Sequence, residues 1–548
     1  MKPFRTLIVF AFILVVASFF RLHAIDTTPP GLYPDEAMNG NNALEAIESA
    51  PPEGGLKVFY PENNGREGLF INIQALFLQT ILPHAGGNPE PWMLRLPSAF
   101  FGIATVAGIF FLTKELFKKN SIALLASFLL AVSFWHINFS RIGFRAIMAP
   151  AFLVWGIYLL ILSFRKNEEF KIPNLKFKIL LPLLAGAVYG LGMYSYIAYR
   201  ATPLLILVIF VVAALRIGWK SMWKIAIWFV LGALVVSVPL IAYFAHNPQD
   251  FFGRTSEVSV FSSPSPLGEL GINIAKTIGM LFFVGDSNWR HNLPSIPELF
   301  WPVAILFLIG IVIGIKVMIK NSKFSPYGRC PEGTQISNSN SILNDGDLKL
   351  EKLKFIQNLK LKIKNLFLGD ATAFIILSAW IAIAMLPVVF SNEGIPHALR
   401  SILMIPPVFI IAGLGGVALY EWMGHKLQKP SWHRFLSVAA FLLLAFIAVT
   451  TYWNYFIVWG QDRNTAGAFS EEYIVTGRKL NAVPEHIPKY VIVEAGGVLA
   501  RGIPMPTQTV MYMTNTFTKE KQMERNIHYI LPKDAGSIPE GSFVVTIN

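Results

Sequence analysis

The chain has 548 residues, of which 54% are hydrophobic, and a mean hydropathy of +0.51. The apolar residues form uncharged runs of about 20 residues, the length that crosses a bilayer, and this excludes an ordinary soluble globular protein. The formal charge of +13 is spread over separate loops between these runs, which argues against a nucleic-acid-binding protein.

The apolar runs predict an α-helical polytopic membrane protein with about eleven transmembrane helices. The predicted spans are 6–22, 96–113, 121–137, 147–164, 179–197, 201–215, 225–245, 297–319, 371–390, 400–420 and 434–458. If the N-terminus is cytoplasmic, the segments on that side hold 26 of the 46 Lys and Arg residues. Such an excess marks cytoplasmic loops. We therefore expect a multi-pass plasma-membrane protein with a cytoplasmic N-terminus and an extracytoplasmic C-terminal domain.

Several segments outside the spans have their own pattern. The first extracytoplasmic loop, 23–95, contains helical patterns at 36–47 and 69–82, and the second of these is too short to cross the membrane comfortably. The loop 246–296 has another short apolar stretch at 272–284. Segment 321–369 reads as a cytoplasmic loop that ends in a basic amphipathic helix, and it contains the only cysteine, Cys330, so no intramolecular disulfide can form.

The hydropathy falls after residue 458, which divides the chain into a transmembrane catalytic domain, 1–458, and a C-terminal domain, 459–548. In the second part, short alternating or apolar runs at 490–494, 507–513, 527–531 and 542–547 predict the strands of a small α/β domain.

Charged residues gather at the predicted extracytoplasmic ends of the helices. They form four clusters, at 33–36, 63–68, 140–145 and 392–400, and Arg200 lies at the outer end of the fifth helix. Charges at a membrane boundary are costly and therefore indicate function. A transporter or lipid flippase, the alternative from another class, would carry polar residues in the middle of its helices, so this placement favours an enzyme.

Carboxylates and guanidiniums at a lipid–water boundary suit transfer of a sugar from a lipid phosphate. A carboxylate deprotonates the acceptor hydroxyl, and arginines neutralise the departing phosphate. A single displacement inverts the anomeric centre and needs one essential carboxylate. A ligase or polymerase of lipid-linked oligosaccharides remains an alternative enzyme. We expect no cofactor and no obligatory metal, although acidic residues of the first loop leave a divalent cation open.

Four short motifs follow one another in the first third of the chain: Asp35-Glu36 after the first helix, Arg66 at the start of the surface helix, the Arg-Leu-Pro-Ser run at 95–98 and the Ser-Arg-Ile-Gly turn at 140–143. With these motifs the sequence resembles the GT-C class of membrane glycosyltransferases, in particular glycosyltransferase family 39, which includes protein O-mannosyltransferases and lipid A aminoarabinose transferases. The resemblance covers about residues 5–165, and the rest of the chain is similar mainly in topology. The resemblance implies a polyprenyl-phosphate-linked sugar donor in a lipid membrane and a protein, lipid or glycan acceptor.

By this resemblance Asp35 is the base that activates the acceptor, Glu36 assists it or holds its loop, and Arg66 contacts the carrier phosphate. Glu67-Gly68 stand where relatives have two prolines, and Arg145-Ala146 stand where relatives often have an aspartate. From charge and position we predict further substrate contacts, made by Glu67, Arg141, Arg145, Arg200, His397 and Arg400.

Each site residue also has a purely structural interpretation. Asp35 could be a helix N-cap, and Glu36 could favour a helix dipole. Arg66 and Glu67 could form a surface ion pair. The other cations could anchor lipid headgroups or extend towards them from helix ends, and His397 could be an interfacial histidine.

Overall fold

The computed structural model describes residues 3–50, 54–169, 175–251, 260–262, 265–322, 370–392, 394–427 and 429–548. The long helices form a bundle, and they are α1 (Pro3–Leu22), α4 (Pro91–Phe117), α5 (Asn120–Ala131), α6 (Phe134–Phe139), α7 (Met148–Glu169), α8 (Leu175–Leu191), α9 (Thr202–Ile217), α10 (Trp219–His246), α12 (Trp301–Ser322), α13 (Asp370–Val389), α14 (Ile405–Lys426) and α15 (Pro430–Tyr452). Helix α15 continues into a π-helical turn, Trp453–Trp459. The chain is therefore mostly helical, as the sequence predicts.

Nine helices of the described ranges are long and apolar enough to cross a membrane, and each matches one predicted span. The other two predicted spans, 121–137 and 179–197, coincide with the shorter apolar helices α5 and α8. The first of these was predicted as continuous but is divided at Ser133, whose hydroxyl accepts a hydrogen bond from the His136 N–H and caps α6. A serine in this position starts a new helix because it satisfies an N–H that has no partner inside the helix.

Small residues set the spacing inside the bundle. Helices α8 and α10 pack closely because a Cβ on Gly186 would lie 1.8 Å from the Phe229 carbonyl oxygen, and one on Gly232 would lie 2.1 Å from that of Leu183. Helices α12 and α14 approach in the same way at Gly310 and Gly415. Such contacts are typical of helices that associate in a membrane.

A second layer covers one end of the bundle. The first loop supplies α2 (Pro34–Glu48), the hairpin of β1 (Phe59–Tyr60) and β2 (Arg66–Glu67), and α3 (Leu69–Ile81), so both predicted loop helices are present. The loop between α10 and α12 supplies α11 (Pro266–Gly279), where the sequence predicted a short apolar stretch at 272–284. The amphipathic helix predicted within 321–369, and Cys330, lie outside the described residues apart from the end of α12.

The C-terminal part has a small parallel sheet in the order β6–β3–β7, made of β3 (Lys489–Val493), β6 (Ile527–Ile530) and β7 (Phe543–Ile547). A short hairpin, β4 (Leu499–Ala500) with β5 (Ile503–Pro504), and the helices α16 (Arg463–Ala468), α17 (Glu471–Ala482), α18 (Thr507–Thr514) and α19 (Lys519–Arg525) complete it.

The prediction of a strand at 507–513 is wrong, because these residues form helix α18. All eight residues of α18 are buried between α2 and α17, so the segment has no exposed face that would give it a helical hydrophobic period. Tyr512 and Met513 share an apolar cluster with Leu44 and Ile71 of the first loop. The C-terminal part therefore packs directly on the segment that carries Asp35.

Candidate active site

A cavity of about 1030 Å³ opens where the loops at one end of the bundle meet. Several segments of the chain contribute to its walls, among them the start of α2, strand β2, the turn before α7, one face of α11, the loop that precedes α12 and the loop that precedes α14. All of the predicted charged clusters contribute a residue to these walls, and the cavity therefore brings together residues that are far apart in sequence.

Asp35 lies at the edge of this cavity, in the first turn of α2. Its Oδ1 accepts a hydrogen bond of 2.8 Å from the Asn63 side chain, and its Oδ2 lies 3.3 Å from Nη2 of Arg66. The N-cap position is occupied by Tyr33, and no side chain caps the helix, so the alternative that Asp35 is only an N-cap is wrong. The carboxylate retains 32% exposure and faces a space in which a substrate can approach it.

Glu36 points away from the cavity and is fully buried. Its Oε2 accepts hydrogen bonds from the Gly143 N–H at 2.7 Å and from Nε of Arg95 at 3.3 Å. Arg95 is equally buried and also donates to the carbonyl oxygens of Pro29 and Gly31. This arrangement fits the expectation that Glu36 holds its loop, because it joins the start of α2 to α4 and to the turn after α6.

Strand β2 separates the roles of Arg66 and Glu67, since successive side chains of a strand point in opposite directions. Arg66 faces Asp35 and the cavity. Glu67 is buried on the other side, where its two oxygens lie 3.0 Å from Nε of Arg145 and 3.3 Å from Nη2 of Arg200. Glu67 therefore pairs with these two arginines rather than with Arg66, and the surface-pair alternative is wrong.

Arg145 and Arg200 have different positions in this network. Arg145 lines the cavity and is held there by Glu67. Arg200 lies behind it, donates to the Phe251 carbonyl oxygen at 2.8 Å, and stacks 4.2 Å from the centre of the Phe251 ring. The structure thus places Arg145 where it can meet a substrate and places Arg200 and Glu67 behind the wall.

Arg141 is not part of the cavity. It is fully buried and donates hydrogen bonds to the carbonyl oxygens of Phe20 in the last turn of α1 and of Ala24 and Thr28 in the segment that follows this helix. Its guanidinium also lies 5.0 Å from the centre of the Phe456 ring. The structure therefore contradicts the predicted substrate contact of Arg141, because its guanidinium is buried against backbone carbonyl oxygens away from the cavity.

His397 and Arg400 also line the cavity, and they lie in the loop between α13 and α14. Helix α14 begins only at Ile405, after a short 3₁₀ turn, so Arg400 lies in the loop and not at the helix end that the predicted span implied. Its Nη1 donates to the Ser391 hydroxyl. Asn273 of α11 donates to the Val389 and Ser391 carbonyl oxygens and ties the same loop to α11.

The sequence reasoning missed the loop that precedes α12. It brings Asp286, Arg290 and His291 into the cavity, and the guanidinium of Arg290 lies 3.9 Å from the centre of the Tyr33 ring. The sequence signal that could have predicted them is the polar run Asp-Ser-Asn-Trp-Arg-His-Asn at 286–292, which follows the apolar stretch at 272–284. Glu269 and Lys276 lie about two turns apart on the same face of α11 and also line the cavity. The sequence analysis missed them because it identified only the apolar character of this segment.

The cavity carries a net positive charge. Five basic side chains and three acidic ones line it, which gives a net charge of +2 with neutral histidines: Arg66, Arg145, Lys276, Arg290 and Arg400 against Asp35, Glu269 and Asp286. Burial lowers the pKa of both His291 and His397, so these imidazoles are neutral at pH 7. A cavity with this charge attracts an anion such as a phosphate.

Comparison with known proteins gives the following matches. Residues 73–251 match the family model described as dolichyl-phosphate-mannose-protein mannosyltransferase. The structure is similar to the Archaeoglobus fulgidus oligosaccharyltransferase in the apo form, with a TM-score of 0.51 and 13% identity over 94% of this chain and 64% of that one. It is also similar to ArnT from Cupriavidus metallidurans bound to undecaprenyl phosphate, with a TM-score of 0.51 and 13% identity over 99% of this chain and 90% of that one. No curated protein sequence matches the chain.

Proposed function

Because the chain has the fold of the GT-C membrane glycosyltransferases and matches a mannosyltransferase family over residues 73–251, we propose that it transfers a monosaccharide from a polyprenyl-phosphate carrier to an acceptor hydroxyl. One observation carries the proposal: a solvent-accessible carboxylate, Asp35, is paired with Arg66 at the edge of a cavity that is otherwise positively charged. Such a site holds a base and an anion-binding surface side by side.

The proposed reaction is a single displacement. The acceptor oxygen forms a bond to the anomeric carbon while the bond between that carbon and the phosphate oxygen breaks. The hydroxyl proton passes to Asp35, and the polyprenyl phosphate leaves with the electron pair. The product has the inverted anomeric configuration, and a positioned carboxylate base contributes about 10²–10⁴-fold to the rate.

Arg66, Arg145 and Arg400 are the proposed contacts of the carrier phosphate, with Lys276 and Arg290 beside them. These five residues come from five separate segments and surround one space, and each guanidinium offers paired donors that match phosphate oxygens. Glu67 and Arg200 act as positioning residues, because Glu67 fixes Arg145 and Arg200 fixes Glu67.

Helix α11 is the proposed path of the polyprenyl chain. Glu269, Ile272, Asn273 and Lys276 share one helical face and line the cavity, whereas Leu267, Ile274 and Ile278 are exposed elsewhere on the helix. An amphipathic helix with this pattern lies at the membrane interface. A phosphate bound at Lys276 can then leave its prenyl chain along the apolar side.

The cavity is proposed to face the extracytoplasmic side, because the positive-inside bias assigns the loops that form it to that side. The transporter alternative requires charged side chains near the middle of the membrane. The charged side chains of this cavity lie instead in loops and at the ends of helices. The ligase alternative would accept a lipid-linked oligosaccharide instead of a single sugar, and donor choice separates it from the monosaccharide transferase.

The test is transfer by purified protein in detergent from a panel of polyprenyl-phosphate monosaccharides and one lipid-linked oligosaccharide. We expect release of polyprenyl phosphate with a monosaccharide donor and an acceptor extract. Asp35→Asn should lower this rate about 10²–10⁴-fold, whereas Asp534→Asn, an exposed carboxylate of the C-terminal part, should leave it unchanged. Binding of donors without any breakage of the sugar–phosphate bond would refute the proposal in favour of a carrier transporter.

A further inference from the structure

Two loops of the cavity bring together a carboxylate and two imidazoles. Asp286 and His291 precede α12, His397 precedes α14, and one potential ligand atom from each lies within 4.8 Å of the others. His397 follows His291 by 106 residues, which explains why ligand spacing in the sequence predicts no metal there. We propose that Asp286, His291 and His397 form a binding site for a divalent transition-metal ion such as Zn²⁺.

The distances suit a metal of this size after small side-chain movements. Oδ2 of Asp286 lies 2.8 Å from Nδ1 of His291 and 3.8 Å from Nδ1 of His397. Ligand atoms around a tetrahedral Zn²⁺ are separated by about 3.3 Å, given metal–ligand bonds of about 2.0–2.1 Å. The two imidazole rings lie with their centres 4.8 Å apart, so both can point towards one ion next to the Asp286 carboxylate.

The chemistry of the ligands is also suitable. Two histidines and one carboxylate are a known ligand set for Zn²⁺ that leaves a fourth position open. An imidazole binds a metal through a nitrogen that carries no proton, and Nδ1 of each histidine lies within 4 Å of the same carboxylate oxygen, Oδ2 of Asp286. Without a metal, the Nδ1–H of His291 donates to Asp286, and a metal bound at these two atoms would replace that proton.

Surrounding groups hold the carboxylate in place. The Asn288 N–H donates to Oδ1 of Asp286, and the Ala398 N–H donates to Oδ2. The Ala398 carbonyl oxygen accepts from the indole of Trp135 in α6, and the Trp289 carbonyl oxygen accepts from that of Trp459. Both loops are thus fixed to buried helix ends, and such outer contacts orient the ligands of a metal site.

The open position would face the cavity, which carries Arg290 and Arg400 close to the three ligands. On the basis of the proposed function, an oxygen of the carrier phosphate is the group that would occupy it, and the ion would share the phosphate charge with the arginines. The same arginines repel a free cation, so we expect the metal to bind more tightly when a phosphate is present.

The test measures metal binding alone, without donor or acceptor. Purified protein is treated with a chelator, desalted and titrated with Zn²⁺, and with Co²⁺ followed by visible absorption, in the absence and presence of inorganic phosphate. We expect one ion per chain with a tetrahedral Co²⁺ spectrum, and at least a tenfold weaker affinity in Asp286→Asn, His291→Ala and His397→Gln. His84→Ala removes an exposed histidine outside the cavity and should bind like the wild type.

Equal binding by the wild type and the three variants, or none by the wild type, would overturn the metal site. Gel filtration and thermal unfolding of each variant identify a loss of fold, and His397→Gln, the mildest of them, keeps the test valid if the buried His291→Ala does not fold. If the chelated protein catalyses transfer but binds no added metal, the metal site is refuted and the transferase proposal stands. If the protein binds the metal specifically but catalyses no transfer, the transferase proposal is refuted and the metal site stands.

Discussion

Removal of the Glu36 carboxylate is predicted to destabilise the protein strongly. Glu36 and Arg95 are both fully buried, and Oε2 of Glu36 accepts from Nε of Arg95 at 3.3 Å and from the Gly143 N–H at 2.7 Å. In Glu36→Ala the guanidinium of Arg95 keeps its two carbonyl partners but loses the only carboxylate with which it forms an ion pair among the described residues.

The expected magnitude follows from these contacts. Breaking a buried ion pair from one side costs about 3–5 kcal/mol, because a charge is left uncompensated. Glu36→Gln keeps an oxygen for both donors and loses only the charge. Hydrogen bonds to charged groups contribute about 1.5–3 kcal/mol and neutral ones about 0.5–1.5 kcal/mol, so two weakened bonds should cost about 2–3 kcal/mol.

The assay is thermal unfolding in detergent, followed by circular dichroism, for Glu36→Ala, Glu36→Gln, Arg95→Met and the Glu36→Ala/Arg95→Met pair. The double variant should lose less than the sum of the single variants, by about 0.5–3 kcal/mol, since the two residues are in contact. Turnover should fall only as far as the folded fraction falls. An unchanged unfolding temperature in Glu36→Gln together with a loss of turnover as large as in Asp35→Asn would refute this reasoning and make Glu36 a catalytic residue.

Three further predictions concern binding and packing. Arg400→Gln should raise the donor KM at least about tenfold, measured by steady-state transfer, because a bond to a charged group contributes about 1.5–3 kcal/mol; an unchanged KM would remove Arg400 from the phosphate site. Arg141→Gln should lower the unfolding temperature and leave the donor KM unchanged, since Arg141 donates to the carbonyl oxygens of Phe20, Ala24 and Thr28 and lies outside the cavity. Gly186→Ala should destabilise the chain by about 1–3 kcal/mol through overpacking against α10. Gly271→Ala on α11 meets nothing within 4 Å, and a similar loss there would contradict the packing argument.

Much of the fold follows from hydropathy alone. Every predicted span coincides with an apolar helix, because burial in lipid demands the long uncharged runs that a sequence displays. A hydropathy pattern does not reveal a helix cap inside an apolar run, nor does it identify a short helix that is buried on all sides. Ser133 divides a run that looks continuous, and α18 is surrounded by α2 and α17, so its period was mistaken for that of a strand.

The part of the site that comes from charged clusters at the ends of the predicted spans could be predicted from the sequence. Asp35, Arg66, Arg145, His397 and Arg400 all line one cavity, as expected from clusters at the same ends of helices. Which side of a turn an arginine faces depends on tertiary contacts, however.

Arg141 and Arg145 are four residues apart, yet Arg141 binds the end of α1 and Arg145 faces the cavity. The group of Asp286, His291 and His397 forms only when two distant loops meet, and no local spacing encodes it.

The most direct test of the central claim measures donor binding and turnover on the same sample of Asp35→Asn. Donor affinity is measured by displacement of a labelled polyprenyl-phosphate sugar, and the single-turnover rate is measured with saturating acceptor. The account predicts an affinity within about threefold of the wild type and a rate lower by about 10²–10⁴-fold, because the base acts on the acceptor and not on the donor. An unchanged single-turnover rate, or a loss explained entirely by weaker donor binding, would contradict it.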